Sequence, residues 1–150
     1  MGHAYVSSLY HVVFSTKERQ RILTPQLQER LWPYIGGIAR KNQMKALCVG
    51  GVEDHIHILL SMPSTLDVAK AVQLLKGGSS AWIHEEFTEY RHVYWQEGYG
   101  AFSIGVSQVE DTIRYIEGQA EHHRTMTFQY EFRAILKRHN MEFDERYIWG

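Results

Sequence analysis

Residues 53–63 read Glu53-Asp54-His55-Ile56-His57-Ile58-Leu59-Leu60-Ser61-Met62-Pro63, and the fold turns on this stretch. Ile56, Ile58 and Leu60 fall on alternate positions, the period of a half-buried strand. On a strand, His55 and His57 point to the same face, because side chains at i and i+2 do. That places two imidazoles within reach of one small object, a metal ion or a phosphate. Gly50-Gly51 before the run and Pro63-Ser64-Thr65 after it are turn signals. A His-x-His pair also arises on exposed strand faces without function, so the rest of the chain must decide.

Outward from this strand, Met44–Gly51 reads as its hairpin partner, and residues 4–14, rich in β-branched and aromatic types, read as an earlier strand. Thr24-Pro25 is an N-cap followed by a first-turn proline, and Leu27, Leu31, Tyr34, Ile35 and Ile38 recur at helical spacing. They predict a helix over about 25–42, which Pro33 can kink and Gly36-Gly37 weaken. A second helix opens at Ser64-Thr65-Leu66-Asp67 and continues through Phe87, with Lys76-Gly77-Gly78-Ser79-Ser80 expected to interrupt it. Residues 101–106 alternate as a fourth strand, and helices are predicted over 110–124 and 128–139, with the tail packing through Phe143, Tyr147, Ile148 and Trp149. The order is βαββαβ followed by two helices. It predicts an α+β, ferredoxin-like antiparallel sheet with helices on one face, leaving the other face for a ligand or partner.

Composition sets bounds. The 150 residues suit one domain spanning 1–150, with 44% hydrophobic and 22% charged residues. One cysteine, Cys48 in an apolar run, excludes an internal disulfide framework and fits a reducing, cytoplasmic setting. No apolar run approaches the ~18 residues of a membrane span. The N-terminus has no signal-peptide layout. The formal net charge of −1 means that any nucleic-acid binding must use local patches.

A second constellation lies in Glu110–Arg124. Tyr115 and Gln119 are i and i+4 on one helix face, and His122 continues the row. Taken singly, Tyr115 and Gln119 are an ordinary core-edge ring and surface amide, and His122-His123 a solvated helix end. Taken with the strand pair they make a coherent site. Two imidazoles and one amide oxygen are three metal ligands with room left for phosphate oxygens. Tyr115 can attack phosphorus, expel a sugar 3′-oxygen and keep the ester energy in a 5′-phosphotyrosine.

His55-Ile56-His57, Tyr115-x-x-x-Gln119, Tyr10-His11-Val12-Val13-Phe14 and Trp95-Gln96-Glu97-Gly98-Tyr99-Gly100-Ala101-Phe102-Ser103 together resemble the small single-tyrosine HUH transposases of bacterial and archaeal insertion sequences. The resemblance runs from about residue 5 to about residue 140. It implies a ferredoxin-like fold, His55, His57 and Gln119 as ligands of magnesium or manganese, and Tyr115 as the nucleophile. It also implies cleavage and rejoining of single-stranded DNA at hairpin-marked element ends by a homodimer, in which the tyrosine helix can serve either subunit.

Three basic groups are candidates for DNA contact: Lys17-Arg19-Arg21, Arg40-Lys41-Lys45 and Arg133-Lys137-Arg138, with Trp82, Trp95 and Tyr99 as base-stacking candidates. Each group also reads as an ordinary solvated face. Among rival readings, a histidine-triad hydrolase lacks its third histidine, Leu59 standing in that place. A closed zinc site would have to gather ligands from unrelated positions such as His11 or His92. A domesticated relative that binds hairpins without moving DNA is the more credible alternative.

Overall fold

A computed structural model describes residues 2–150. Four strands, β1 (Leu9–Ser15), β2 (Lys45–Val52), β3 (His55–Ser61) and β4 (Gly100–Ile104), form one antiparallel sheet in the order β2-β3-β1-β4. This is the ferredoxin-like arrangement expected from the element order. β1 is shorter than predicted, since residues 4–8 lie outside the sheet.

Residues directly opposite one another in the ladder share a face, so the register separates two sets of side chains. Val12 pairs with Ile58 and Phe14 with Ile56, and these residues form a core under α1 (Pro25–Lys41) and α2 (Val68–Glu86). Val13 pairs with His57, Ser15 with His55 and His11 with Phe102, so the histidines face the other way. That second face is not free for a ligand. The chain's own α3 (Val109–Glu117), α4 (Gln119–His122) and α5 (Phe128–Arg138) cover it. Phe128, Phe132, Ile135 and Leu136 of α5 bury against Val13 and Phe102, with Phe143, Ile148 and Trp149 of the tail closing the edge.

The helices answer to their sequence signals. Thr24 caps α1, its hydroxyl accepting from the Leu27 amide at 3.3 Å, and the helix runs through Pro33 without a break. Asp67 caps α2, accepting from Lys70 N at 2.7 Å. The expected interruption at Lys76–Ser80 is absent, and Gly78, Ser79 and Lys76 each have a tertiary partner there. A Cβ on Gly78 would sit 2.9 Å from Ile38 Cδ1, so the glycine lets α1 and α2 approach. Ser79 Oγ donates to the Leu75 carbonyl at 2.6 Å and accepts from the Trp95 indole at 3.0 Å. Lys76 Nζ donates to the carbonyls of Gln96, Glu97 and Gly98 at 2.7, 3.1 and 2.7 Å, and burial lowers its pKa to about 8. Gln96 accepts from Ser15 N at 2.7 Å and donates to the Gly150 carbonyl at 2.9 Å. The Trp95–Gly100 segment is therefore scaffold that fixes the entry to β4. Trp95 packs edge-on against Phe14 and is not free to stack a base.

Candidate active site

β3 places His55 and His57 side by side, both fully buried. The tight β2–β3 turn fixes their start. Gly51 has φ +156°, and a Cβ there would run into the His55 carbonyl. The predicted helix over 110–124 breaks at Gly118 (φ −88°, ψ 11°) into α3 and α4, yet Tyr115 and Gln119 still share a face. Gln119 Nε2 approaches the Tyr115 carbonyl at 3.4 Å, and the His122 ring centroid is 5.2 Å from that of Tyr115. All four residues singled out from the sequence thus meet in one chain. Gln119 Oε1 lies 3.0 Å from His55 Nε2.

The residue that joins them escaped the sequence reading. Glu131 of α5, 1% exposed, puts Oε1 3.2 Å from both His55 Nε2 and His57 Nε2 and 3.0 Å from His123 Nε2. Its Oε2 accepts from Gln119 Nε2 at 3.0 Å and from the Tyr115 hydroxyl. A signal for it existed. Glu131 stands at i+3 from Phe128 and i−4 from Ile135, a carboxylate within a buried apolar stripe, where an unpaired charge is costly. His123, expected at a solvated helix end, instead turns inward because Nδ1 donates to the Met126 carbonyl at 2.7 Å.

Outer partners orient both histidines. His55 Nδ1 donates to Asp54 Oδ1 at 2.6 Å, and His57 Nδ1 shares a hydrogen bond of 2.7 Å with His11 Nε2. Their Nε2 atoms therefore converge with Glu131 Oε1, all within 4.8 Å of one another, close enough to share one ion. A buried His whose Nδ1 is held by a carboxylate or acceptor is the usual setting of a metal ligand. The donor set of imidazole, amide and carboxylate suits a divalent cation.

The charges follow from this packing. Burial pulls His55 down, but the hydrogen bonds and charges of Asp54 and Glu131 prevail and raise its pKa to about 9. Both its ring nitrogens face oxygen, which holds a proton where a cation would otherwise sit. Burial dominates at His57, lowered to about 4, and at His11, lowered to about 3 with His57 adding repulsion. Burial alone would raise the Glu131 acid; hydrogen bonds from His123, His55 and His57 override it and hold the group far below the carboxylate range. Burial and then the Glu131 charge push the Tyr115 hydroxyl above the usual phenol range.

Two openings flank the cluster. A cavity of about 520 Å³ borders Asp54 and His123 and carries Arg19, Arg21 and Arg124 on its walls. A smaller cleft of about 280 Å³ exposes the Tyr115 side, with His11, Thr112 and Arg138 around it. The basic groups read from the sequence are partly neutralised. Arg21 pairs with Glu53 at 2.5 Å and Arg133 with Glu145 at 2.5 Å, while Arg19 lies over the Trp149 ring. Trp82 stacks on Tyr34, with centroids 4.2 Å apart.

Residues 4–119 match the family model described as "Transposase IS200 like". The chain belongs to the IS200-like transposase family. Over 122 residues it is 25% identical to the transposase for insertion sequence element IS200 of Salmonella typhimurium, covering 77% of this chain and 80% of that one. To the ISDra2 transposase TnpA of Deinococcus radiodurans it is 24% identical over 124 residues, 79% and 89% of the two chains. The fold is similar to a crystal structure from Deinococcus radiodurans R1 assigned as a transposase (TM-score 0.64, 24% identity, 79% of this chain and 96% of that one). It is also similar to a REP-associated tyrosine transposase bound to a REP hairpin (TM-score 0.59, 16% identity, 82% and 73%). The family-matched residues contain His55, His57, Tyr115 and Gln119; Glu131 and His123 lie beyond them. Among the described residues no helix is long and apolar enough to cross a membrane.

Proposed function

We propose that this family member cleaves and rejoins single-stranded DNA at insertion-sequence ends, recognising hairpins and using Tyr115 as the nucleophile. The observation that carries the reading is the convergence, within one chain, of the Tyr115 hydroxyl, the His55 and His57 Nε2 atoms and the Gln119 amide NH₂ on one buried carboxylate, with Gln119 Oε1 turned to His55 Nε2. His55, His57 and Gln119 would hold the ion, magnesium or manganese. Bound there, a divalent cation supplies charge to polarise a phosphodiester. The Tyr115 oxygen forms a bond to phosphorus, the bond from phosphorus to the sugar 3′-oxygen breaks, and a 5′-phosphotyrosine and a 3′-hydroxyl result. The phenol proton lies along the hydrogen bond to Glu131 Oε2. Attack by a second 3′-hydroxyl reverses these bond changes and joins the new end without ATP.

The cleft beside Tyr115 is where the strand would enter, with Arg138 facing its phosphates, and the larger cavity with Arg19 and Arg124 continues a path past His123. The test incubates single-stranded DNA carrying a hairpin with magnesium or manganese. Wild type is expected to form a covalent protein–DNA adduct, and Tyr115→Phe none; cleavage that persists in Tyr115→Phe refutes the mechanism. The expected assembly is a homodimer, and light scattering that gives a clean monomer at micromolar protein counts against it. Complete burial of His55 and His57 favours a second reading, a hairpin-binding protein that does not cut. In the same assay that protein would shift the hairpin without forming an adduct.

A further inference from the structure

We propose that Glu131 is a two-armed residue, a metal ligand through Oε1 and the anchor of Tyr115 through Oε2, which α5 adds from beyond the family-matched segment. This rests on the metal-dependent reading above and adds an anionic donor to it. The two oxygens already divide their partners in that way. Oε1 faces the His55, His57 and His123 Nε2 atoms; Oε2 faces Gln119 and the Tyr115 hydroxyl, with His122 Nε2 farther off at 3.7 Å. Among the described residues no Lys or Arg pairs with Glu131, and its ion-pair partners are histidines only. A carboxylate buried to this depth is costly unless charge and hydrogen bonds surround it, and those that do so here belong to the candidate site.

The helix holds this group firmly. The Thr127 hydroxyl accepts from Tyr130 N at 3.1 Å to start α5, and Phe128, Phe132 and Ile135 lock the same face into the apolar layer. The donor chemistry is also improved. Two neutral imidazoles and an amide leave the full charge of a divalent ion uncompensated and would suit zinc as well. A carboxylate oxygen offsets part of that charge and is a donor that magnesium and manganese favour. One carboxylate then spans the ion and the nucleophile, so the oxygen that attacks is positioned by the same group that helps to hold the metal.

The test titrates Mn²⁺ calorimetrically into the full-length wild type, His57→Ala and Glu131→Gln, with circular dichroism to confirm folding. Glu131→Gln keeps the shape and removes the charge. It is expected to weaken Mn²⁺ binding by at least about tenfold, the loss typical even of an outer partner of a metal ligand. In metal-free protein labelled at tyrosine ¹³Cζ, the Tyr115 resonance, assigned by its loss in Tyr115→Phe, is expected to move in Glu131→Gln. Affinity within about twofold of wild type, or an unmoved Tyr115 resonance, overturns the proposal. If Glu131→Gln does not fold, Glu131→Asp, which draws the carboxylate back by one methylene, is scored on the same two readouts. Wild type and His57→Ala binding Mn²⁺ equally would remove the metal site itself and Glu131's role with it. Loss in His57→Ala alone would remove only Glu131's role.

Discussion

Metal binding at this site should expel a proton, and the number can be worked from the packing. His55 presents Nδ1 to Asp54 Oδ1 at 2.6 Å and Nε2 to Glu131 Oε1 at 3.2 Å, and these two carboxylates outweigh burial and raise its pKa to about 9. A cation bound at Nε2 must displace that proton. His57, lowered to about 4, is already neutral at pH 7 and releases none. At pH 7 the displacement covers two pH units below the His55 value, a cost of about 3 kcal/mol or about a hundredfold in affinity. Between pH 6.5 and 8 the apparent association constant should rise about tenfold per pH unit. Calorimetry with Mn²⁺ in two buffers of different ionisation enthalpy counts the protons directly, and about one per ion is expected at pH 7. Asp54→Asn, which removes one of the groups holding the His55 proton, should lower that count and flatten the pH slope. A pH-independent affinity, or the same heat in both buffers, refutes the assignment of a protonated His55 at the centre of the site.

Other outcomes follow from the same packing. In metal-free protein with chelator, the raised His55 adds stability that is fully present below pH 6.5 and is lost as pH rises towards 9, while Glu131 stays ionised throughout. The depressed His57 and His11 act in the opposite sense, stabilising above pH 6.5 and losing that as pH falls through about 4 and 3, so urea midpoints should fall on both sides of neutrality and a flat profile would refute this. Phe132→Ala removes a ring 5.5 Å from Phe128 and 6.1 Å from Trp149, and should cost about 3–5 kcal/mol in urea unfolding. A loss under about 1 kcal/mol would mean that α5 is not held by this cluster. A Cβ at Gly50 would sit 2.8 Å from Ile116 Cγ2 and 3.0 Å from its carbonyl oxygen, and the backbone oxygen cannot swing aside. Gly50→Ala should therefore push α3 off β2, destabilise by about 1–3 kcal/mol and slow adduct formation at Tyr115; unchanged rates would refute the coupling.

Sequence alone determined the elements that depend on local periodicity and punctuation. The alternation of Ile56, Ile58 and Leu60 put His55 and His57 on one face, the Thr24 cap and the Ser64–Asp67 run marked the starts of the first two helices, and the βαββαβ order led to the sheet. The i, i+4 spacing of Tyr115 and Gln119 survived even where Gly118 breaks the helix. Local rules misjudged Lys76–Ser80 because propensity does not register the partners that Gly78, Ser79 and Lys76 find far along the chain. Which face of the sheet is covered was also beyond them, since an apolar stripe on α5 does not name the surface it will bury against. Only the tertiary structure brought Glu131 and His123 from a later helix and turn onto the strand-borne histidines, because a carboxylate gains its meaning from the charges that surround it in space. The histidine pair is thus a property of a strand, and the site it belongs to is a property of the packed fold.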